Sequence, residues 1–299
     1  MTGPVNSRGI CDKSLRLQMS RKSRLTNSRH PYLSELDSRF YESLDFVNFR
    51  PKNIFSIDMF PGLKNKPKNS FFSKVNWFEG SFLSKERELF KKNFFKNLYP
   101  FSKNKEIFYP LKNNHYCFSD NSFDYIEALA VIPWANNPLS LINEIHRLLK
   151  SGGFFGFASF GPGTLKSLIA LLNEKNTDAA NNNFITMIDM HDIGDFCSSA
   201  GFVSPVVASN TVCFKYSKAE TALDELRVMS GNPRLDRDGF LRGKNWYVKI
   251  IDALNNCKDS DGFVTLEFEL IYGHAWKVEK NPEEIKKAPK FVEKKIKIY

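Results

Sequence analysis

The chain has 299 residues, 42% of them hydrophobic, enough for one large α/β domain or one domain with an appended lid. Its net charge of +10 suits an acidic partner. The basic residues crowd the tails, Arg16 to Arg29 and Lys277 to Lys297, and no nucleic-acid-binding motif accompanies them, so nucleic acid is not an expected partner. No apolar run is long enough to span a bilayer, and the basic N-terminal stretch lacks the apolar core of a secretory signal. The five cysteines are scattered without a CxxC pair, which argues against a disulfide framework or a zinc site and fits a reducing cytoplasm.

Residues 1–50 read as polar and helical, with Leu33, Leu36, Phe40, Leu44 and Phe46 near helical spacing until Pro51 breaks the pattern. Asn53–Asp58 reads as a short buried strand, and a loop containing Pro61, Gly62 and Pro67 follows. Val75–Glu79 is a second strand candidate, Ser84–Leu98 a helix, and Ile107–Leu111 a third strand. Phe123–Ile132 is the clearest central strand. The helix predicted over Leu139–Leu149 ends at Gly152 and Gly153 in the manner of a glycine cap. Phe154–Phe160 is another buried strand. Strands separated by helices of this length imply βαβ units and a mainly parallel sheet.

The second half predicts helices over Thr164–Asn173, Asp192–Ala200, Ala219–Met229 and Trp246–Asn256, with a strand in Pro205–Tyr216. Val264–Tyr272 alternates apolar and polar residues strongly, as a late antiparallel strand would.

The segment Phe118 to Asp124, FSDNSFD, and the segment Arg147 to Gly153, RLLKSGG, resemble the stretches before strands four and five of class I S-adenosylmethionine (SAM) methyltransferases. The segments Met187–Phe202, Val228–Lys244 and Thr265–Lys277 narrow the resemblance to the malonyl-acyl-carrier-protein O-methyltransferases of biotin synthesis. A related branch of protein-arginine hydroxylases that act as assembly factors shares much of this layout. The resemblance covers residues 118–277 and, more thinly, 30–60. It implies an α/β, Rossmann-like fold with a mainly parallel sheet, a late antiparallel strand and helical lid elements. It also implies three parts: an N-terminal arm over 1–50, a cofactor-binding half over 51–160, and a substrate-side half over 161–299.

By the same resemblance the cofactor is SAM, the partner is an acidic acyl carrier protein, and the reaction is methylation of the malonyl group's free carboxylate. The family carries an acid and a glycine-rich loop at the end of strand one. Here Ser56 stands at the acid's position, Asp58 and Phe60 replace the leading glycines, and Gly62 remains. Either Asp58 serves as the acid beside a reshaped loop, or Phe60 occludes the pocket and the chain is a non-catalytic relative. Glu79 falls where Rossmann-like sites set a carboxylate on ribose hydroxyls. The further cofactor-side candidates are Asn113, near adenine, and Glu127, Ala128 and Leu129 on strand four. Arg227, Arg234 and Arg242 are candidates for a substrate carboxylate or phosphopantetheine, though each is equally a solvated surface charge. Tyr32, near Arg39 and Tyr41 in the covering arm, is the catalytic candidate. His191 and Asp192 are adjacent at a helix start and do not face each other, so no metal site is expected there, and Asp192 reads as a cap or helix N-terminal charge. His274 reads as a packed histidine.

Overall fold

A computed structural model describes residues 10, 30–59, 75–81, 108–110, 115–174, 184–228, 233, 235 and 244–278. The expected helix over 84–98, the loop with Phe60 and Gly62, and the candidates Asn113, Arg234 and Arg242 lie outside them.

Seven strands form one sheet in the order β3-β2-β1-β4-β5-β7-β6. They are β1 (Asn53–Asp58), β2 (Asn76–Ser81), β3 (Phe108–Pro110), β4 (Phe123–Leu129), β5 (Leu149–Phe160), β6 (Val203–Tyr216) and β7 (Val264–Trp276). The first five pair in parallel, while β7 runs antiparallel to both β5 and β6. The antiparallel strand expected over 264–272 is therefore present and extends to Trp276. Because β5 pairs along β7 from Phe154 to Phe160, the sheet crosses the expected boundary at residue 160 without a break.

Six α-helices lie among the described residues: α1 (Pro31–Leu44), α2 (Pro138–Leu148), α3 (Lys166–Glu174), α4 (Met190–Ser199), α5 (Ala219–Val228) and α6 (Lys244–Asn256). None is long and apolar enough to cross a membrane. α1 starts at a proline, whose missing N–H costs nothing in a first turn, and buries Tyr32, Leu33, Leu36, Phe40 and Leu44 on one stripe. It ends at Leu44 rather than at Pro51; Asp45 closes the last turn through its N–H to the Glu42 carbonyl. α2 is capped by Asn137, whose side chain accepts the Ser140 N–H at 2.9 Å.

Two more boundaries differ from the sequence expectation. Strand four ends at Leu129, not Ile132, because Ala130 turns into the left-handed region (φ 53°) and a 3-10 turn over Ile132–Trp134 follows. α2 is not ended by a glycine: Leu149 already has extended backbone and enters β5 directly. Gly152, at φ 74°, instead serves the bulge by which residues 150–153 leave the ladder before Phe154 pairs with Tyr125.

Side chains alternate across the sheet. One face presents Gly156 and Phe160 of β5 to α1, with Phe154 on the same face against Phe49 and Trp276. A Cβ on Gly156 would lie 2.8 Å from Phe40 Cζ, so the glycine is what lets the helix sit this close. Tyr32 stacks on Phe268 with ring centroids 5.2 Å apart. On the other face Phe155 packs against Phe202, which also meets His146 of α2. Phe55, Phe118 and Phe123 form an aromatic cluster around β1 and β4.

Candidate functional site

The chain leaves β1 toward β2 and β3 on one side, then returns to place β4 and β5 on the other. In a parallel α/β sheet this reversal opens a crevice at the carboxyl ends of the two central strands, since the following connections diverge to opposite faces. Here those ends are Asp58 of β1 and Leu129 of β4, which are in register.

Two rows of cross-strand neighbours lead to the crevice. In the first, Ser56 lies opposite Glu79 of β2 and Glu127 of β4, and the row continues through Gly156 to His274. In the second, Asp58 lies opposite Ser81 and Leu129. The period of two puts Ser56, Asp58, Glu79, Glu127 and Leu129 on one face, the face covered by α1. Ala128, in register with Ile57, turns its side chain to the opposite layer, so only its backbone belongs to the crevice. Glu79 is not the last residue of its strand, which runs on to Ser81.

Glu127 is the chemical centre of this arrangement. It is fully enclosed, yet its carboxylate accepts hydroxyls from three different elements. Ser56 Oγ donates to Oε1 at 2.6 Å, while Tyr125 and Tyr41 both donate to Oε2 at 3.1 Å. Burial, reinforced by the Glu127 charge, holds both phenols well above the usual tyrosine range, so they stay protonated and remain donors. A carboxylate held by neutral donors in a low-dielectric sheet interior acts strongly on anything cationic brought near it. Sequence reasoning found Ser56 and Glu127 separately but not their contact, nor the part played by Tyr125 and Tyr41. The available signal was a glutamate in the fully buried run that follows Asp124 in the strand FDYIEAL.

Asp58, 3% exposed, completes the acidic side of the crevice. Ala130 follows Leu129, the register partner of Asp58; its left-handed backbone is unusual for a residue with a Cβ, and its N–H is fixed on the Ala158 carbonyl at 2.8 Å. Neither row contains Lys or Arg among the described residues.

The other candidates are placed as follows. Tyr32 is completely buried, and its ring serves to pack α1 on β5 and β7, edge-on to Phe160 as well as stacked on Phe268. Arg227 lies exposed on α5 and pairs with Asp224 at 2.8 Å. Arg39 pairs with Glu35 on the outer side of α1. His191 bonds Asp189 rather than Asp192, and Asp189 is the true cap of α4; Asp192 sits in its first turn. His274 is packed on Phe154 with ring centroids 5.2 Å apart, and burial lowers its pKa, which keeps the imidazole neutral. No cluster of metal-ligating side chains occurs among the described residues.

Comparison with known proteins agrees with this geometry. Residues 102–157, which include β4 and most of β5, match the family model described as a methyltransferase domain. In solved structures the fold is shared with the YcgJ protein of Bacillus subtilis, at a TM-score of 0.55 and 14% identity over 81% of this chain and 99% of that one. A putative methyltransferase from Bacillus halodurans gives 0.50 and 14% identity, over 82% and 98%. The chain thus has the Rossmann-like fold of these structures, and its residues 102–157 are similar to a methyltransferase domain.

In sequence the chain is similar to proteins named malonyl-[acyl-carrier protein] O-methyltransferase. It is 30% identical to one from Coxiella burnetii over 55% of this chain and 57% of the relative. Identity to the Nitrosospira multiformis protein is 33%, over 49% and 47%. The match with the Legionella pneumophila protein is longer, 27% identical over 81% and 83%. The chain spans about half the length of the first two relatives.

Proposed function

We propose that the chain is a SAM-dependent O-methyltransferase that methylates the free carboxylate of malonyl-acyl carrier protein in biotin precursor synthesis. The observation that carries this reading is the set of carboxylates, Asp58, Glu79 and Glu127, gathered on one face at the β1–β4 reversal, in a chain whose relatives bear that activity in their names. The donor set suits the cofactor. SAM carries positive charge on its sulfonium and its ammonium, and the two rows offer Asp58, Glu79 and Glu127 with no competing Lys or Arg among the described residues. Ser56, Asp58, Glu79, Glu127 and the backbone of Ala128 and Leu129 would hold it, with Gly62 and Asn113 as further candidates from the sequence. When bound, the cofactor supplies a methyl group on positively charged sulfur.

The protein's own task is then mainly positional. A malonyl carboxylate has a reference pKa of about 4 and is ionised at neutral pH, so no general base is needed to make it a nucleophile. Orienting its oxygen in line with the methyl, and excluding water, accounts for the rate. α1 supplies the exclusion: its buried stripe seals the sheet face, and Tyr41 reaches the Glu127 carboxylate beneath it. Arg227, Arg234 and Arg242 remain candidates for the acceptor's carboxylate or phosphate. The net charge of +10 favours encounter with an acidic carrier protein. The four described cysteines are free thiols, which suits the cytoplasm.

The test is direct. Purified protein is incubated with SAM and malonyl-acyl carrier protein, and the carrier is analysed by mass spectrometry for a base-labile methyl ester. Methylation of the malonyl carrier, but not of an acetyl carrier that lacks the free carboxylate, is the expected result. SAM binding without methylation of the malonyl carrier would reject this acceptor. No SAM binding at all would reject the enzyme reading and leave a non-catalytic relative.

A further inference from the structure

We propose that Glu127 on β4 replaces the acid missing from Ser56 on β1, and that its carboxylate receives the ammonium of the cofactor's amino-acid end. The inference rests on the SAM reading above and extends it to one residue pair.

The geometry is that of a carboxylate moved sideways by one strand. Ser56 and Glu127 are register partners on neighbouring parallel strands and point to the same face. Strands in a sheet lie about 4.8 Å apart, a gap that a glutamate side chain can span. Glu127 does bridge it, since its Oε1 stands 2.6 Å from Ser56 Oγ. The negative charge therefore sits within one hydrogen bond of the position that an acid on β1 would occupy. The serine follows from the same geometry. An aspartate at residue 56 would bring two carboxylates into hydrogen-bond distance, and one would have to take up a proton or turn away. A hydroxyl there instead donates to Glu127 and fixes its orientation.

The surrounding groups match a binding role. Tyr125, two residues earlier on the same strand, steadies Oε2 from within the sheet. Tyr41 approaches the same oxygen from α1, the element that covers the face, and is the donor positioned to yield when a cationic group arrives. The cover and the binding carboxylate are thus joined by a single hydroxyl contact.

The experiment compares two probes by calorimetry. S-adenosylhomocysteine retains the amino-acid end, whereas methylthioadenosine lacks it. Glu127→Gln is expected to weaken S-adenosylhomocysteine about tenfold or more, the loss of one charge-assisted contact, and to leave methylthioadenosine nearly unchanged. The exchange pair Ser56→Asp with Glu127→Ser, which returns the acid to β1, is expected to restore the preference for S-adenosylhomocysteine. Thermal unfolding reports whether each variant is folded, and if Glu127→Gln is not, the exchange pair decides. Equal weakening of both probes in folded Glu127→Gln would overturn the assignment. So would an exchange pair that folds but shows no preference, or a selective loss in Asp58→Asn with none in Glu127→Gln. Wild-type protein that binds neither probe would instead refute the cofactor reading itself.

Discussion

The close approach of α1 to the sheet depends on Gly156, and the dependence can be measured. A methyl group at this position would stand 2.8 Å from Phe40 Cζ, 3.1 Å from Phe40 Cε2 and 2.9 Å from the Tyr125 hydroxyl. The first of these falls short of the ~3.5 Å optimum for carbon contacts by about 0.7 Å. Phe40 is fully buried, so its ring cannot swing into solvent, and α1 must lift or the ring must leave its rotamer. Overpacking of this kind costs about 1–3 kcal/mol, which is the expected destabilisation for Gly156→Ala. Phe40→Ala alone removes a buried ring and should cost about 3–5 kcal/mol. In the double variant the new methyl enters space that the ring has vacated, so its clash disappears. The double variant should therefore be less destabilised than the sum of the singles by about 1–2 kcal/mol. Urea unfolding of the four proteins, compared at equal m-values, gives the coupling directly. Additivity within about 0.5 kcal/mol would show that α1 does not rest on Gly156 and would refute the packing argument.

Two further expectations concern groups away from the crevice. Glu144 of α2 accepts hydrogen bonds from Arg147 Nε at 2.8 Å and from the Tyr116 N–H at 2.8 Å. Burial by itself would raise its pKa, but these donors outweigh it and hold the carboxyl below its ordinary value. A lowered folded pKa contributes stability above the ordinary carboxylate range, and that contribution is lost as pH falls through the folded value. Glu144→Gln should thus cost about 2 kcal/mol near neutral pH, with the gap to wild type closing in acid; a gap that stays constant or widens on acidification would contradict this. Cys197 is fully buried in α4 and burial pushes its thiol up to about 12, whereas Cys117 and Cys213 are exposed. Iodoacetamide at mildly alkaline pH, read by peptide mapping, should alkylate the exposed pair and spare Cys197 until denaturant is added. Comparable labelling of Cys197 in the native protein would show that α4 does not shield it.

The architecture was legible in local stretches of the chain. The buried runs NIFSID, FDYIEAL and FFGFASF, the helical spacing between them and the strong alternation of VTLEFEL are local patterns, and local patterns decide which residues form strands and which face turns inward. They were sufficient for a parallel sheet closed by an antiparallel strand. Boundaries were less legible where tertiary contacts prevail over propensity: β4 stops at Leu129 because the backbone reverses at Ala130, and α2 passes into β5 without the glycine cap that Gly152 suggested. The candidate site was legible only one residue at a time. Ser56 appeared in the sequence as a missing acid and Glu127 as a cofactor-side candidate on strand four, separated by 71 positions. Only the pairing of β1 with β4, and the seat that Gly156 makes for α1, bring Ser56, Glu127, Tyr125 and Tyr41 around one carboxylate. Hydrogen bonding across strands depends on register and on the layer above, and neither is encoded in the spacing of a single segment.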